Sequence, residues 1–162
     1  LGPARQGSWL GHGSHVSRST GMLRATRYAL ASICGMRYNV GMIEVLATAQ
    51  YAEWFDGLSL QEARAVQRKV QMLEEKGVTL DHPHTSALRR SRHGLRELRV
   101  QAGGHPLRVI YAFDRERAAI LLLGGDKTGD GRFYEQIIPQ ADDLFDAHLA
   151  WRATQTKEDE EP

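Results

Sequence analysis

One cysteine, Cys34, is all that 162 residues contain, so no internal disulfide can staple the fold. A disulfide-framed secreted miniprotein is excluded, and a reducing, cytoplasmic setting fits. Long apolar runs are missing too. Nothing approaches the roughly 20 residues that span a bilayer, and YALASIC, the nearest thing to a signal-peptide core, is short and late in an arginine-rich stretch. Metal-ligand patterns are scarce: His82 and His84 flank Pro83 beside Asp81, with no cysteine and no second spaced pair, so neither metal nor cofactor is expected. LLLGGDKTGDG has Lys127-Thr128 without a G-x-x-x-x-G cradle, which argues against a nucleoside-triphosphate loop. Bulk charge is absent as well. A net charge of +1 cannot coat a polyanion, so any such site must be local.

The charge is nonetheless segregated. Residues 1–41 hold five arginines and no acid, whereas Glu158, Asp159, Glu160 and Glu161 crowd the end. The Gly- and Ser-rich opening suggests a poorly structured basic leader over 1–41, with a short helix possible from Arg24 to Tyr38 and possible translation starts at Met22, Met36 and Met42. A single domain is expected over 42–157, followed by an acidic tail over 158–162.

Within that domain MIEVLA reads as a strand. Thr48 is placed to cap a short helix through Tyr51, Trp54 and Phe55 that Gly57 ends. Ser59 and Glu62 have capping-box spacing. Leu60, Ala63, Val66, Val70 and Leu73 then recur at helical steps up to Gly77. TLDHPHT reads as a loop. LRELRVQ, LRVIYAFD and AILLLGG read as a β-meander, the last of them apolar on both faces and hence central. Pro139 suits the first turn of a final helix with Ala141, Leu144, Phe145, His148 and Leu149 on its apolar side, and His148 reads as a packing residue. The expectation is an α+β fold in the order β-α-α-β-β-β-α, a small twisted, mainly antiparallel sheet with a helical pair on one side.

What the chain does have is a basic meander. From Arg89 to Arg108 there are six arginines and one acid, Glu97. Alternation puts Glu97, Arg99 and Gln101 on one face of their strand and Leu98 and Val100 on the other. Lys127, Arg132 and Tyr134 follow the central strand and can converge with Arg99 and Arg108. Such a group suits RNA cleavage without metal, in which guanidiniums clamp the phosphate while a 2′-hydroxyl attacks it. His93 has the pKa best suited to acid–base work but sits in the basic loop. A merely solvated sheet face is the plainer alternative.

The pieces YAEWFDGL, GLRELRV, GGHPLRVIYAFD and AILLLGGDKTGDGRFYEQIIPQADDLFDAHL, in this order and spacing, resemble the RelE/ParE toxin superfamily, most closely its HigB-like, phage Gp49-like branch. The resemblance spans roughly Ile43 to Leu149. It implies the toxin of a type II toxin–antitoxin pair, an endoribonuclease that cuts mRNA on the ribosome and is held inactive by an antitoxin, often one with a helix-turn-helix DNA-binding domain. It carries catalytic roles onto Arg99, Arg108, Lys127 and Tyr134, and RNA contacts onto Arg89, Arg90, Arg92, His93 and Arg132. Two departures stand out. Leu107 replaces an aromatic residue before Arg108, and Gly124-Gly125-Asp126 precedes a single lysine, where Asp126 is expected to neutralise Lys127 in part. The superfamily also holds ParE-type inhibitors of DNA gyrase, which is the alternative reading beside a non-catalytic RNA-binding regulator.

Overall fold

The computed structural model describes residues 23–24 and 42–160. Its elements are β1 (Leu23–Arg24), β2 (Val45–Ala47), α1 (Ala49–Asp56), α2 (Leu60–Lys76), β3 (Thr85–Ala87), β4 (Arg96–Ala102), β5 (His105–Phe113), β6 (Ala119–Asp126) and α3 (Phe133–Glu160). The strands form one sheet in the order β1-β2-β6-β5-β4-β3. Only the β2–β6 contact is parallel, so the α+β, mainly antiparallel reading holds. The expected helix over 24–38 and the loose leader lie outside the described residues, except that Leu23 and Arg24 pair with β2.

The helix ends follow their capping residues. Thr48 accepts a hydrogen bond from the Tyr51 N–H at the start of α1, and Ser59 and Glu62 close a full capping box on α2. Each supplies partners to N–H groups that a helix start leaves unpaired, worth about 1 kcal/mol apiece. Ala65, Val66 and Leu73 of α2 face the sheet. Leu60, expected on that face, is instead 68% exposed.

The sheet is covered on both sides. Val45, Ala47, Leu98, Val100, Leu107, Val109, Tyr111 and Leu121 pack against α1 and α2. Leu46, Ile110, Ala112, Ile120 and Leu122 pack against Phe133, Ile137, Ile138, Ala141 and Phe145 of α3. The helical pair therefore occupies one face and the final helix the other. Burying each of these large side chains contributes about 2 kcal/mol, and β6, apolar on both faces, is central to the domain as expected.

Three boundaries differ from the sequence reading. Thr85–Ala87, read as the end of a loop and its continuation, is an edge strand on β4; three residues without alternation give no strand signal of their own. Helix α3 starts at Phe133, so Pro139 lies inside it rather than in its first turn. An interior proline costs about 3 kcal/mol, which the burial of Phe133, Ile137 and Ile138 around it offsets. The same helix runs to Glu160, past the expected start of the acidic tail. Among the described residues no helix is long and apolar enough to cross a membrane.

Candidate functional site

The face of the meander that looks toward α3 holds an unusual row. Arg99 of β4 lies directly opposite Arg108 of β5, which lies opposite Gly125 of β6. Two like charges facing each other across a ladder repel. Glu97, two residues before Arg99 and on the same face, compensates them. Its side chain is only 2% exposed, and a buried carboxylate is tolerated only when paired and hydrogen-bonded.

It is thoroughly paired. Arg99 Nε donates to Glu97 Oε1 at 3.1 Å and Ser86 Oγ donates to the same oxygen at 2.8 Å. Tyr134 Oη donates to Glu97 Oε2 at 2.6 Å, and Arg108 Nε lies 3.5 Å from that oxygen. Arg108 also donates through Nη1 to the Leu107 carbonyl at 2.9 Å. Lys127 completes the group, its Nζ 4.8 Å from the centroid of the Tyr134 ring. One carboxylate faces two guanidiniums, with an ammonium over the tyrosine ring beside them, so the cluster keeps net positive charge. The Arg99 side chain is 42% exposed and that of Arg108 only 13%, which makes Arg99 the open end of the site.

The phenol of Tyr134 is pushed above its ordinary pKa, first by burial and then by its bond to Glu97, with Arg108 opposing. It holds its proton. Asp126, expected to neutralise Lys127 in part, has other hydrogen-bond partners. Its carboxylate accepts from Thr128 N and Oγ1 and pairs with His105 Nδ1 at 2.7 Å, and these bonds hold it down at about 2. Asp126 shapes the turn that carries Lys127, and Lys127 N–H donates to the Pro106 carbonyl.

The adjacent glycines have a packing reason. A bulge between Ile110 and Tyr111 shifts the pairing of β6, so that Ile110 meets Leu123 and Tyr111 meets Leu121. Beyond it Gly124 lies beneath Trp54 of α1, where a Cβ would overlap the indole. A Cβ on Gly125 would lie 2.7 Å from the Phe133 ring. A side chain at either position would force the end of β6, which leads into Lys127, or the helix packed on it to shift.

The remaining basic candidates divide. Arg89 and Arg132 are exposed, and Arg90 reaches Glu135 at 3.9 Å with both side chains largely in solvent. Arg92 and His93 are not brought to the Glu97 cluster. Arg92 Nη2 bonds Asp143 and Asp146 at 2.9 and 2.8 Å, and His93 Nε2 meets Asp146 at 2.6 Å. Ser91 Oγ and the Arg92 N–H add bonds to buried Asp142. The aspartates that hold this strap lie roughly 12 to 18 Å along α3 from Tyr134, at about 1.5 Å per residue. Arg96, the sixth arginine, turns to the opposite face and donates to the Tyr111 hydroxyl.

Sequence reasoning passed over Glu97 and Ser86. The lone acid among six arginines was the available signal for Glu97. Ser86 had none, because its strand was not foreseen. His148 is buried as expected, with Nε2 3.1 Å from Asp114 Oδ2, and its pKa is lowered by burial against the pull of that carboxylate. Asp114 also accepts from the Glu116 and Ala118 N–H groups and from Arg152 Nε, so this cluster ties the β5–β6 turn to α3. Among the described residues no group of three or more histidines, cysteines and acids is arranged to hold a metal ion.

Comparison with known proteins agrees with this architecture. Residues 53–146 match the family described as phage derived protein Gp49-like. The chain is 38% identical over 108 residues to the candidate toxin HigB3 of Mycobacterium tuberculosis, covering 65% of this chain and 93% of that protein. It is 37% identical over 100 residues to the candidate toxin HigB2 of the same organism, covering 60% of this chain and half of that protein. With more than half its length matched by the family and nearly the whole of one relative aligned, the chain belongs to the Gp49-like family of HigB-type proteins.

Proposed function

We propose that this protein is the toxin of a toxin–antitoxin pair and acts as a ribosome-dependent mRNA endoribonuclease. The observation that carries the reading is the convergence of Arg99, Arg108 and Tyr134 on one buried carboxylate, with Lys127 over the Tyr134 ring and positive charge left over. The toxin names of its relatives support the coarser half of it.

The chemistry follows from the arrangement. The RNA 2′-hydroxyl attacks the adjacent phosphorus, the bond to the 5′-oxygen breaks, and a 2′,3′-cyclic phosphate forms. Arg99, at the open end, and Arg108, beneath it, hold the nonbridging oxygens as they gain charge, an interaction stronger in the transition state than in the ground state. Tyr134, which keeps its proton on the bond to Glu97, swings that O–H to the departing 5′-oxygen and protonates it, becoming a phenolate. Lys127 beside its ring stabilises the charge developing on the phenol. The 2′-hydroxyl proton passes to water on the open Arg99 side. Arg89, Arg90 and Arg132 form a solvated basic rim for the RNA backbone. A cognate antitoxin in the same cytoplasm restrains the activity.

The test is to express the chain without its antitoxin and to map mRNA 5′ ends while measuring plasmid supercoiling. New ends inside translated codons with normal supercoiling are expected. Intact mRNA with lost supercoiling would instead indicate gyrase inhibition. Ribosome or RNA binding without cuts would indicate a non-catalytic regulator.

A further inference from the structure

The Glu97 carboxylate is in the right place to be read as a proton acceptor, yet its geometry argues otherwise. A carboxylate offers about four lone-pair directions. Oε1 is used by Ser86 Oγ and Arg99 Nε, and Oε2 by Tyr134 Oη with Arg108 Nε close by. At 2% exposure the side chain has no face left for a substrate hydroxyl. Accepting a proton would remove the negative charge between two guanidiniums and leave them facing each other across the ladder.

Ser86 makes this arrangement specific. It lies directly opposite Glu97 in the β3–β4 register, so the two side chains share a face and meet without either chain bending. The edge strand β3 thereby supplies the one neutral donor that pins Oε1.

We propose that Glu97, fixed by Ser86, is the positioning residue of the site: it sets the spacing of the Arg99 and Arg108 guanidiniums and the direction of the Tyr134 hydroxyl without touching RNA. This role rests on the ribonuclease reading, but part of its test does not. With the carboxylate in place, the two arginines present a preformed fork to one phosphate, and the Tyr134 oxygen is held in place beside them with its proton on the bond to Glu97. Displacements of about 1 Å in such groups cost on the order of 100-fold in rate.

The experiment uses the full chain as wild type, Glu97→Gln, Ser86→Ala, Ser86→Thr and Tyr134→Phe. Single-turnover cleavage on programmed ribosomes is measured across pH. Ionisation of Tyr134 is followed separately by ultraviolet difference titration against Tyr134→Phe, within the pH range where circular dichroism is unchanged. Glu97→Gln is expected to cut on the order of 100-fold more slowly, to keep the low-pH limb of the profile, and to ionise Tyr134 at lower pH than wild type. Ser86→Ala is expected to slow cleavage about 5-fold, the size of one lost hydrogen bond of about 1 kcal/mol, and Ser86→Thr, which keeps the hydroxyl on a strand, to restore it.

Loss of the low-pH limb in Glu97→Gln with Tyr134 ionisation unmoved would make Glu97 the proton acceptor and overturn the proposal. Wild-type rates in Ser86→Ala would remove Ser86 from it. If Glu97→Gln does not fold, the Ser86→Ala and Ser86→Thr pair decides. If the wild type cuts no RNA, the ribonuclease reading fails, while the Tyr134 titration still accepts or rejects the positioning geometry.

Discussion

Two basic regions of this protein look alike in the sequence and differ in the fold. Around Glu97, one buried carboxylate serves two arginines, a tyrosine and a serine, and a lysine stands over the tyrosine ring. In the strap over residues 91–93, a serine, an arginine and a histidine meet three aspartates of α3. The first region is short of negative charge and keeps one guanidinium open. The second sets three carboxylates against one guanidinium and an imidazole. A cluster left positive attracts a phosphate, whereas one rich in carboxylates joins a loop to a helix. Basic residues therefore divide by the carboxylates that the fold sets against them.

Arg99→Ala should show the largest effect of this contrast. It removes the open clamp, worth roughly 3 kcal/mol in the transition state, and should slow single-turnover cleavage on the order of 100-fold. Thermal stability should fall as well, because buried Glu97 loses a hydrogen-bonded partner, while the opposite face of β4, carrying Leu98 and Val100, stays packed. Wild-type cleavage at saturating ribosome would place the scissile phosphate elsewhere.

Arg108→Ala should lose a similar share of rate and also stability, about 2 kcal/mol by denaturant melts, because a more enclosed partner of buried Glu97 disappears. A stable but inactive Arg108→Ala protein would mean that Arg99, Ser86 and Tyr134 suffice to hold the carboxylate.

Arg92→Ala probes the other side of the comparison. It should lower the melting temperature while leaving cleavage within about 3-fold of wild type, because the strap stands away from the Glu97 cluster. A cleavage loss as large as that of Arg99→Ala, with stability intact, would return Arg92 to the RNA-binding surface.

The strap also has a pH signature. The Asp146 carboxyl is held below its ordinary value of 3.8 by hydrogen bonds from Arg92 and then His93. A depressed acid contributes stability that is present above 3.8 and lost as pH falls through its folded value. Asp146→Asn should therefore flatten the acid limb of the stability curve below that pH and lower stability slightly near neutrality, where the ionised carboxylate contributes. The smallest effect belongs to Arg90→Ala: its 3.9 Å contact with Glu135 is open to solvent, so stability should be unchanged, and only the salt dependence of ribosome binding should weaken slightly.

Much of this arrangement was legible in the chain. Helical periodicity, the Ser59–Glu62 box and the alternation of LRVIYAFD specify their elements locally, because they depend on neighbours three or four residues away, or two in a strand. The grouping of Arg99, Arg108, Lys127 and Tyr134 was likewise within reach of the pattern and the family likeness. The edge strand at Ser86 was not, since its pairing energy comes from β4 rather than from its own three residues. Nor was the start of α3, where tertiary burial outweighs the local preference of Pro139.

The sequence by itself determined which residues could meet: periodicity fixes the face each side chain occupies, and turn residues fix where the chain reverses. Only the tertiary structure decided the charge state of each meeting place. Glu97 lies among arginines in the chain, but its burial, its four partners and the separation of Arg92 and His93 onto α3 depend on contacts as many as 54 residues apart. Electrostatic balance in a folded site is a sum over such distant neighbours and over lost solvent, and no local pattern contains either term.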